Sequence, residues 1–294
     1  MKKRALVLQG GGLRGAYTAG VLDVFIEHGI TFDCIIGVSA GSLNTFSYVT
    51  KQKGRTKKLL EDSLTNHRLA SISNLVKYGS FFNFDYMFFD YLKDEWPFDI
   101  ESFKHCKEEV IFVATDVDSG KARYFSNKHG DDMFLASMAS SSIAVVSKKV
   151  KIEGHYYLDG GYSDGIPFKK AIDEGYDKIV VISTRDRNFH NDEEKYIKSK
   201  TTRLACLRYR KSLNFVECIK NYAKQYNINL ANLYDYEREN KLFLIAPSLP
   251  LRKVKSVNAN EDDISNLSSN YNLGRCDALS LLSKMDEYLK EEEK

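Results

Sequence analysis

Twice within the first 41 residues a short apolar run ends in glycine-rich sequence and gives way to a helix-like pattern: ALVLQGGG at 5–12 and CIIGVSAG at 34–41. Runs this short and continuous suit strands covered on both faces, and a helix between them makes a βαβ unit, which forces the two strands to be parallel. The first helix is expected over 15–28, burying Val21, Leu22, Phe25 and Ile26 as one stripe, with Gly29 as its left-handed stop. A second helix is expected over 40–51, and further strands at 110–114, 122–125, around 150–158 and at 178–183. The implied architecture is a three-layer α/β/α sandwich with a mostly parallel central sheet. From about 188 the pattern changes to long polar helices, with one more strand-like run at 242–246 and a final helix over 277–290. The expected organisation is therefore an α/β domain over 1–187 and a mostly helical C-terminal extension over 188–294 that packs on it.

Composition narrows the class. With 294 residues, 43% hydrophobic and 28% charged, there is ample chain for one large core. No apolar run approaches the roughly 18 to 20 residues of a membrane span. The basic start MKKR is followed by only four apolar residues before three glycines, short for a secretory leader, so it reads as a first strand. Five scattered cysteines, with no C-x-x-C pair and no histidine at metal spacing, fit reduced thiols in a cytoplasmic protein without a metal site. A net charge of +3 gives no field that would call for a nucleic-acid partner. One local cluster, Lys198, Lys200, Arg203, Arg208, Arg210 and Lys211 with Leu204 and Leu207, suits either a solvated helix face or an anionic membrane surface.

Gly10, Gly12 and Gly15 satisfy the G-x-G-x-x-G spacing of dinucleotide-binding loops, but that fold needs an acid at the end of the second strand. Asp33 precedes that strand, and the strand runs instead into Gly37-Val38-Ser39-Ala40-Gly41, a G-x-S-x-G sequence. In a nucleophile elbow the flanking glycines admit a tight strand-to-helix turn that presents the serine above the sheet at a helix N-terminus. Because consecutive parallel strands end side by side, the glycine loop from Gly10 to Gly15 faces Ser39, and its backbone N–H groups suit an oxyanion hole. A serine needs a base. None of the six histidines is well placed: His28 ends a helix, His67, His105, His129 and His190 fall in polar stretches, and His155 shares a strand face with Tyr157. Asp159 follows an apolar strand and precedes Gly160 and Gly161. Its competitors are Asp164 and the pair Asp116 and Asp118, whose D-x-x-G context reads as a hairpin turn.

Taken together, GGGLRG at 10–15, GVSAG at 37–41 and DGG at 159–161 make the chain resemble the patatin-like phospholipases. The resemblance implies an α/β/α sandwich with a Ser-Asp dyad that hydrolyses acyl esters of lipids through an acyl-enzyme, with no cofactor. Carried over by position, Ser39 is the nucleophile and Asp159 the base. Gly10, Gly11 and Gly12 donate to the oxyanion, and Arg14 occupies the loop's basic position. Gly15, Gly37, Gly41, Gly160 and Gly161 support the turns, and the 1–187 segment is the catalytic domain. One departure is that Ala144 stands where the family often has proline, which leaves the rigidity of the loop before the Asp159 strand open.

The aromatic segment FFNFDYMFFDYL at 81–92, with Trp96 and Phe98, reads as an acyl pocket, an interfacial cap or a core helix. The partner implied is a lipid ester, with peripheral contact to a membrane or micelle surface. Two other classes remain: a non-catalytic lipid-binding relative, and a nucleotide-binding α/β protein. The sequence leaves the oligomeric state unspecified.

Overall fold

A computed structural model of the chain describes residues 2–91 and 97–290. Trp96 and Leu92 of the aromatic segment lie outside the described residues. The strands are β1 (Arg4–Leu8), β2 (Cys34–Val38), β3 (Glu109–Asp116), β4 (Ala122–Ser126), β5 (Val150–Ile152), β6 (His155–Asp159), β7 (Lys178–Ile182) and β8 (Phe243–Ile245). The helices that concern the site are α1 (Gly15–Glu27), α2 (Ala40–Val49), α3 (Arg55–Thr65), α4 (Met133–Ser140), α5 (Phe168–Asp173), α6 (Lys200–Arg208), α7 (Leu213–Arg238) and α8 (Glu261–Lys290). No helix among the described residues is long and apolar enough to cross a membrane.

Five strands, in the order β3-β2-β1-β7-β8, are parallel to their neighbours, as the apolar runs predict. Alternation along them sends side chains to two cores. Leu6, Leu8, Ile35 and Phe112 face α1, α2 and α8, while Ala5, Val7, Ile36 and Val113 face α5 and α7. Helices on both faces of the sheet make the α/β/α sandwich. β8 lies beside β7 at the edge, so chain from beyond residue 187 completes the sheet.

The sheet as a whole is mixed, because β4, β5 and β6 run antiparallel. The single strand expected around 150–158 is a hairpin: Glu153 and Gly154 both take positive φ, at 50° and 87°, as a two-residue turn between antiparallel strands requires. β3 meets β4 on one edge. On its other edge β2 pairs as far as Val38 opposite Val113, and β6 takes over with Asp159 opposite Ala114. The two strands thus abut end to end along one neighbour.

The final helix begins at Glu261, well before the expected start near residue 277. Its buried stripe includes Leu267, Asn270, Tyr271, Gly274, Asp277 and Ala278, helical in spacing but poor in large apolar residues, which is why hydrophobic periodicity missed it. The stripe is shaped for close approach to α1. A Cβ on Gly20 would lie 2.0 Å from the Tyr271 carbonyl oxygen, and one on Gly274 would lie 2.1 Å from that of Tyr17. The two tyrosines then reach across reciprocally, Tyr17 donating to Asp277 at 3.0 Å and Tyr271 to Asp23 at 2.6 Å.

Candidate active site

At the C-terminal end of β2 the backbone turns sharply into α2, and Ser39 sits at the turn with φ 54° and ψ −122°. A non-glycine residue there carries strain of order 1–3 kcal/mol, held by the structure around it. The flanking glycines are required by packing: a Cβ on Gly37 would lie 2.9 Å from the Gly41 carbonyl, and one on Gly41 would lie 2.3 Å from the Leu8 carbonyl oxygen. The elbow is therefore wedged against β1.

Because β6 ends where β2 ends, Asp159 meets Ser39. The Ser39 hydroxyl donates to Asp159 Oδ2 at 2.8 Å, and the Gly161 amide donates to Asp159 Oδ1 at 2.7 Å. Gly160 passes so close to β3 that a Cβ would fall 2.1 Å from the Val113 carbonyl oxygen. Burial pushes the Asp159 carboxyl up to about 6, against the opposing pull of the bonds from Gly161 and Ser39. The group is thus a carboxylate near neutral pH and basic enough to take a proton from its hydroxyl partner.

The competing acids are engaged elsewhere. Asp116 caps its hairpin by accepting from the Asp118 and Ser119 amides. Asp164 accepts from the Tyr124 hydroxyl at 2.8 Å, and burial lifts its carboxyl to about 6 as well. His155 pairs with Asp116 at 3.6 Å on an exposed edge, and among the described residues no histidine lines the cleft around Ser39.

Gly10 backs directly onto the serine, since a Cβ there would be 3.2 Å from the Ser39 Cβ. The N-termini of α1 and α2 are pressed together at Gly15, where a Cβ would lie 2.9 Å from the Ala40 Cβ, and Asn44 ties them by donating to the Gly15 and Ala40 carbonyls. Among the described residues, no protein atom accepts from the amides of Gly10, Gly11 or Gly12, while their carbonyls are used by Thr184, Arg14 and Gly15. Gly10 and Gly11 are half-buried, where amides are normally paired, and Gly12 is exposed. Three unspent donors beside a serine hydroxyl suit a developing oxyanion.

Ser39 lies between two spaces. One is a cleft of about 460 Å³, lined by the glycine loop, Asp159, Arg14, Arg185, Tyr222 and Tyr226. The other is a small slot of about 50 Å³ behind the serine, lined by Leu43, Leu59, Leu60, Phe82, Phe84 and Met87. The aromatic segment therefore faces inward. Phe81, Phe84, Tyr86, Met87, Phe88 and Phe98 are buried, and Phe84 and Met87 also wall the slot, so these residues form core and pocket rather than an interfacial cap.

Several contributors escaped the sequence reading. Ser140 accepts from the Ser39 amide at 2.8 Å, and Ser142 accepts through its carbonyl from the Asp159 amide at 2.8 Å. Thr115 donates to the Asp159 carbonyl at 2.8 Å. The available signal was the small-residue run SMASSS at 137–142, since a helix ending in serines both packs closely and offers hydroxyls. At the departure from the family pattern, the Ala144 amide donates to the Tyr162 hydroxyl at 3.2 Å. Proline has no such donor, so the tyrosine fixes this loop where a ring would otherwise do so.

Fold and site together define an α/β/α sandwich with a serine elbow and an acid at the facing strand end. The family model for patatin-like phospholipases matches residues 6–172, more than half of the chain, and the chain belongs to this family. A second family model, a domain of unknown function (DUF6363), matches residues 213–290. Among curated proteins, the uncharacterized protein YjjU of Escherichia coli K12 is 32% identical over 194 residues, covering 61% of this chain and 51% of that one. Lysophospholipase NTE1 of Scheffersomyces stipitis is 28% identical over 193 residues, covering 60% of this chain and 11% of that protein. The chain thus spans about half of the first relative and a small part of the second. Among solved structures, VipD from Legionella pneumophila superposes with a TM-score of 0.52 at 13% identity, covering 97% of this chain and 67% of that chain, a likeness of fold.

Proposed function

We propose that the protein is a serine hydrolase of lipid carboxylic esters that works through Ser39 and Asp159 without a histidine. The observation that carries the reading is the 2.8 Å bond from the Ser39 hydroxyl to Asp159 Oδ2, made beside a glycine loop with free amides. As Ser39 Oγ attacks the acyl carbonyl, its proton passes to Asp159 Oδ2, and the carbonyl oxygen gathers negative charge against the Gly10–Gly12 amides. Collapse breaks the ester C–O bond and returns the proton from Asp159 to the departing alcohol, leaving an acyl-enzyme. Water, deprotonated by Asp159, then releases the acid and restores the serine. The NTE1 relatives are named lysophospholipases, which supports a lipid ester as the substrate here. The apolar slot suits the acyl group, and the wider cleft the alcohol portion.

Contact with a lipid surface belongs to the same reading. Leu204, Leu207 and Leu213 are 51%, 59% and 75% exposed, and they stand among Arg208, Arg210 and Lys211. Val145 borders both this patch and the catalytic cleft. Exposed leucines ringed by cations at the mouth of the cleft suit an anionic bilayer.

A fluorophosphonate probe, which requires an activated serine, tests the assignment. Covalent labelling of Ser39, lost in Ser39→Ala together with ester hydrolysis, is expected. Undiminished hydrolysis by Ser39→Ala would overturn it, and lipid binding without labelling would favour a non-catalytic lipid-binding role.

A further inference from the structure

One wall of the catalytic cleft comes from α7, which lies beyond the residues matched to the patatin-like family and within the domain of unknown function. Ile219, Tyr222 and Tyr226 line the cleft at i, i+3 and i+7, one face of that helix. The face is pinned at two places. On the Asp159 side, the Cys218 thiol donates to the Tyr162 carbonyl at 3.2 Å and the Phe215 ring meets the Tyr162 ring edge-on at 5.5 Å, so α7 grips the turn that follows Asp159. On the glycine-loop side, Gln9 donates to the Tyr226 hydroxyl, and Gln9 is itself fixed by accepting from the Ser183 hydroxyl and the Thr184 amide, both at 2.8 Å. Tyr222 stands about one helical turn from each pin. It is therefore held between the side of the cleft that carries Asp159 and the side that carries Gly10, as Ser39 is.

Three other tyrosines surround it, and each has its hydroxyl engaged. Tyr162 accepts from the Ala144 amide, Tyr226 accepts from Gln9, and Tyr196 pairs with Thr202. The Tyr222 ring packs on all three, with centroids 6.1 Å from Tyr162, 5.1 Å from Tyr196 and 6.1 Å from Tyr226, which fixes the direction of its side chain. Among the described residues its own hydroxyl has no partner, although Tyr222 is half-buried in the cleft. A phenol hydroxyl so placed normally finds one. Burial and the charge of Asp159 keep it protonated, against the pull of Arg14 and Arg185. It is thus a fixed, neutral donor whose acceptor is left for the substrate to supply.

We infer that Tyr222 is a further catalytic residue, whose hydroxyl donates a hydrogen bond to the alcohol oxygen of the scissile ester as that oxygen leaves the tetrahedral intermediate. The inference rests on the reading of this cleft as a lipid ester site, in which the alcohol portion occupies the wider space that Tyr222 lines. As the ester C–O bond breaks, its electron pair passes to the alcohol oxygen and the proton held on Asp159 Oδ2 follows. The Tyr222 O–H supports the charge on that oxygen until the proton arrives, and keeps its own. The glycine amides serve the carbonyl oxygen, so the second oxygen needs a separate donor. The domain of unknown function thereby completes an active site whose nucleophile and base lie in the other family domain.

The test compares the unaltered full chain with Tyr222→Phe, which keeps the ring and removes the hydroxyl. The substrates are soluble butyrate esters of progressively poorer leaving groups: p-nitrophenyl, phenyl and ethyl. All pass through the same butyryl-enzyme, so differences in kcat/KM report its formation. A p-nitrophenolate departs with little help, whereas an alkoxide needs its charge met. The loss of kcat/KM in the variant is expected to be at least about tenfold greater on the ethyl ester than on the p-nitrophenyl ester, with the phenyl ester between them. Melting temperature reports that the variant folds. An equal loss on all three esters would overturn the inference, because a helix that only braces the Asp159 turn slows every ester alike, and so would no loss on any. Failure of the unaltered protein to hydrolyse any ester or to take the fluorophosphonate at Ser39 is a separate outcome: the hydrolase reading then fails and the inference falls with it.

Discussion

Ser140 holds both halves of the candidate dyad: its hydroxyl accepts from the Ser39 amide at 2.8 Å, and its carbonyl accepts from the amide of Gly160, next to Asp159, at 3.3 Å. The end of α4 therefore bridges two strand ends that are 120 residues apart in sequence. Ser140 is fully buried, so removing its hydroxyl leaves the Ser39 amide unpaired in the interior. Ser140→Ala is expected to destabilise the protein by about 1–3 kcal/mol in denaturant titration and to lower kcat more than it raises KM. A variant that keeps kcat while losing stability would show that the bond holds the fold and not the reactive geometry.

Asp159 gives a pH dependence whose sign is fixed. As a base it must be unprotonated, and its carboxyl is raised to about 6. The kcat/KM for an uncharged soluble ester should be flat above that pH and fall about tenfold per pH unit below it. An unchanged rate at pH 4.5 would remove Asp159 from the role of base.

The same shift makes a stability prediction of opposite sense. The folded value of about 6 exceeds the unfolded 3.8, so this group's contribution to stability is fully present below pH 4 and is lost as the pH rises through 6. Asp159→Asn keeps an acceptor for Gly161 and removes the buried charge. It should abolish at least about 100-fold of the activity. It should also stabilise the protein at pH 8 by up to roughly 3 kcal/mol, a gain that vanishes near pH 4. Asp164, lifted similarly, is common to both proteins and cancels in the comparison. Thermal midpoints measured at the two pH values check this.

What the sequence disclosed was local. The elbow was legible because Gly37 and Gly41 answer to steric demands of one turn, and the parallel strands because their apolar runs are continuous. The sharing of one β3 edge by β2 and β6, which brings Ser39 to Asp159, is a matter of register between distant strands that no periodicity encodes. Arg185 was equally hidden: nothing in STRDR at 183–187 marks which arginine turns into the cleft and which pairs with Glu237. The polar stripe of α8 was missed because its packing relies on glycines and buried polar bonds in place of large apolar side chains.

The basic patch at the cleft mouth predicts dependence on lipid charge. Replacing Leu204 and Leu207, which are exposed in the structure, with aspartate removes apolar contact and lowers the local positive charge. The ratio of activity on anionic vesicles to activity on a soluble ester should fall about tenfold or more, with each nearby cation worth about 1 kcal/mol at an anionic surface. High salt should lower the same ratio in the unaltered protein. A ratio unaffected by both would place membrane contact elsewhere.

The crossing of α1 and α8 tests whether the C-terminal helix braces the catalytic layer. Gly29 and Gly274 are both glycines near helices, yet they answer to different constraints. At Gly29 the chain has φ +63° and open space, so Gly29→Ala should cost only the backbone penalty of about 1–2 kcal/mol. At Gly274 an added methyl would stand 2.1 Å from the Tyr17 carbonyl oxygen, which is main chain and cannot swing away. Relief requires the helices to separate, which would stretch the bonds from Tyr17 to Asp277 and from Tyr271 to Asp23 along the whole crossing. Gly274→Ala is therefore expected to cost at least about 3 kcal/mol, more than Gly29→Ala. Because α1 also carries the glycine loop at its N-terminus, the loss should be accompanied by weaker fluorophosphonate labelling of Ser39 at temperatures where the protein is still folded. Equal midpoints for the two variants in urea would show that the helices part without strain and that the crossing does not hold the site.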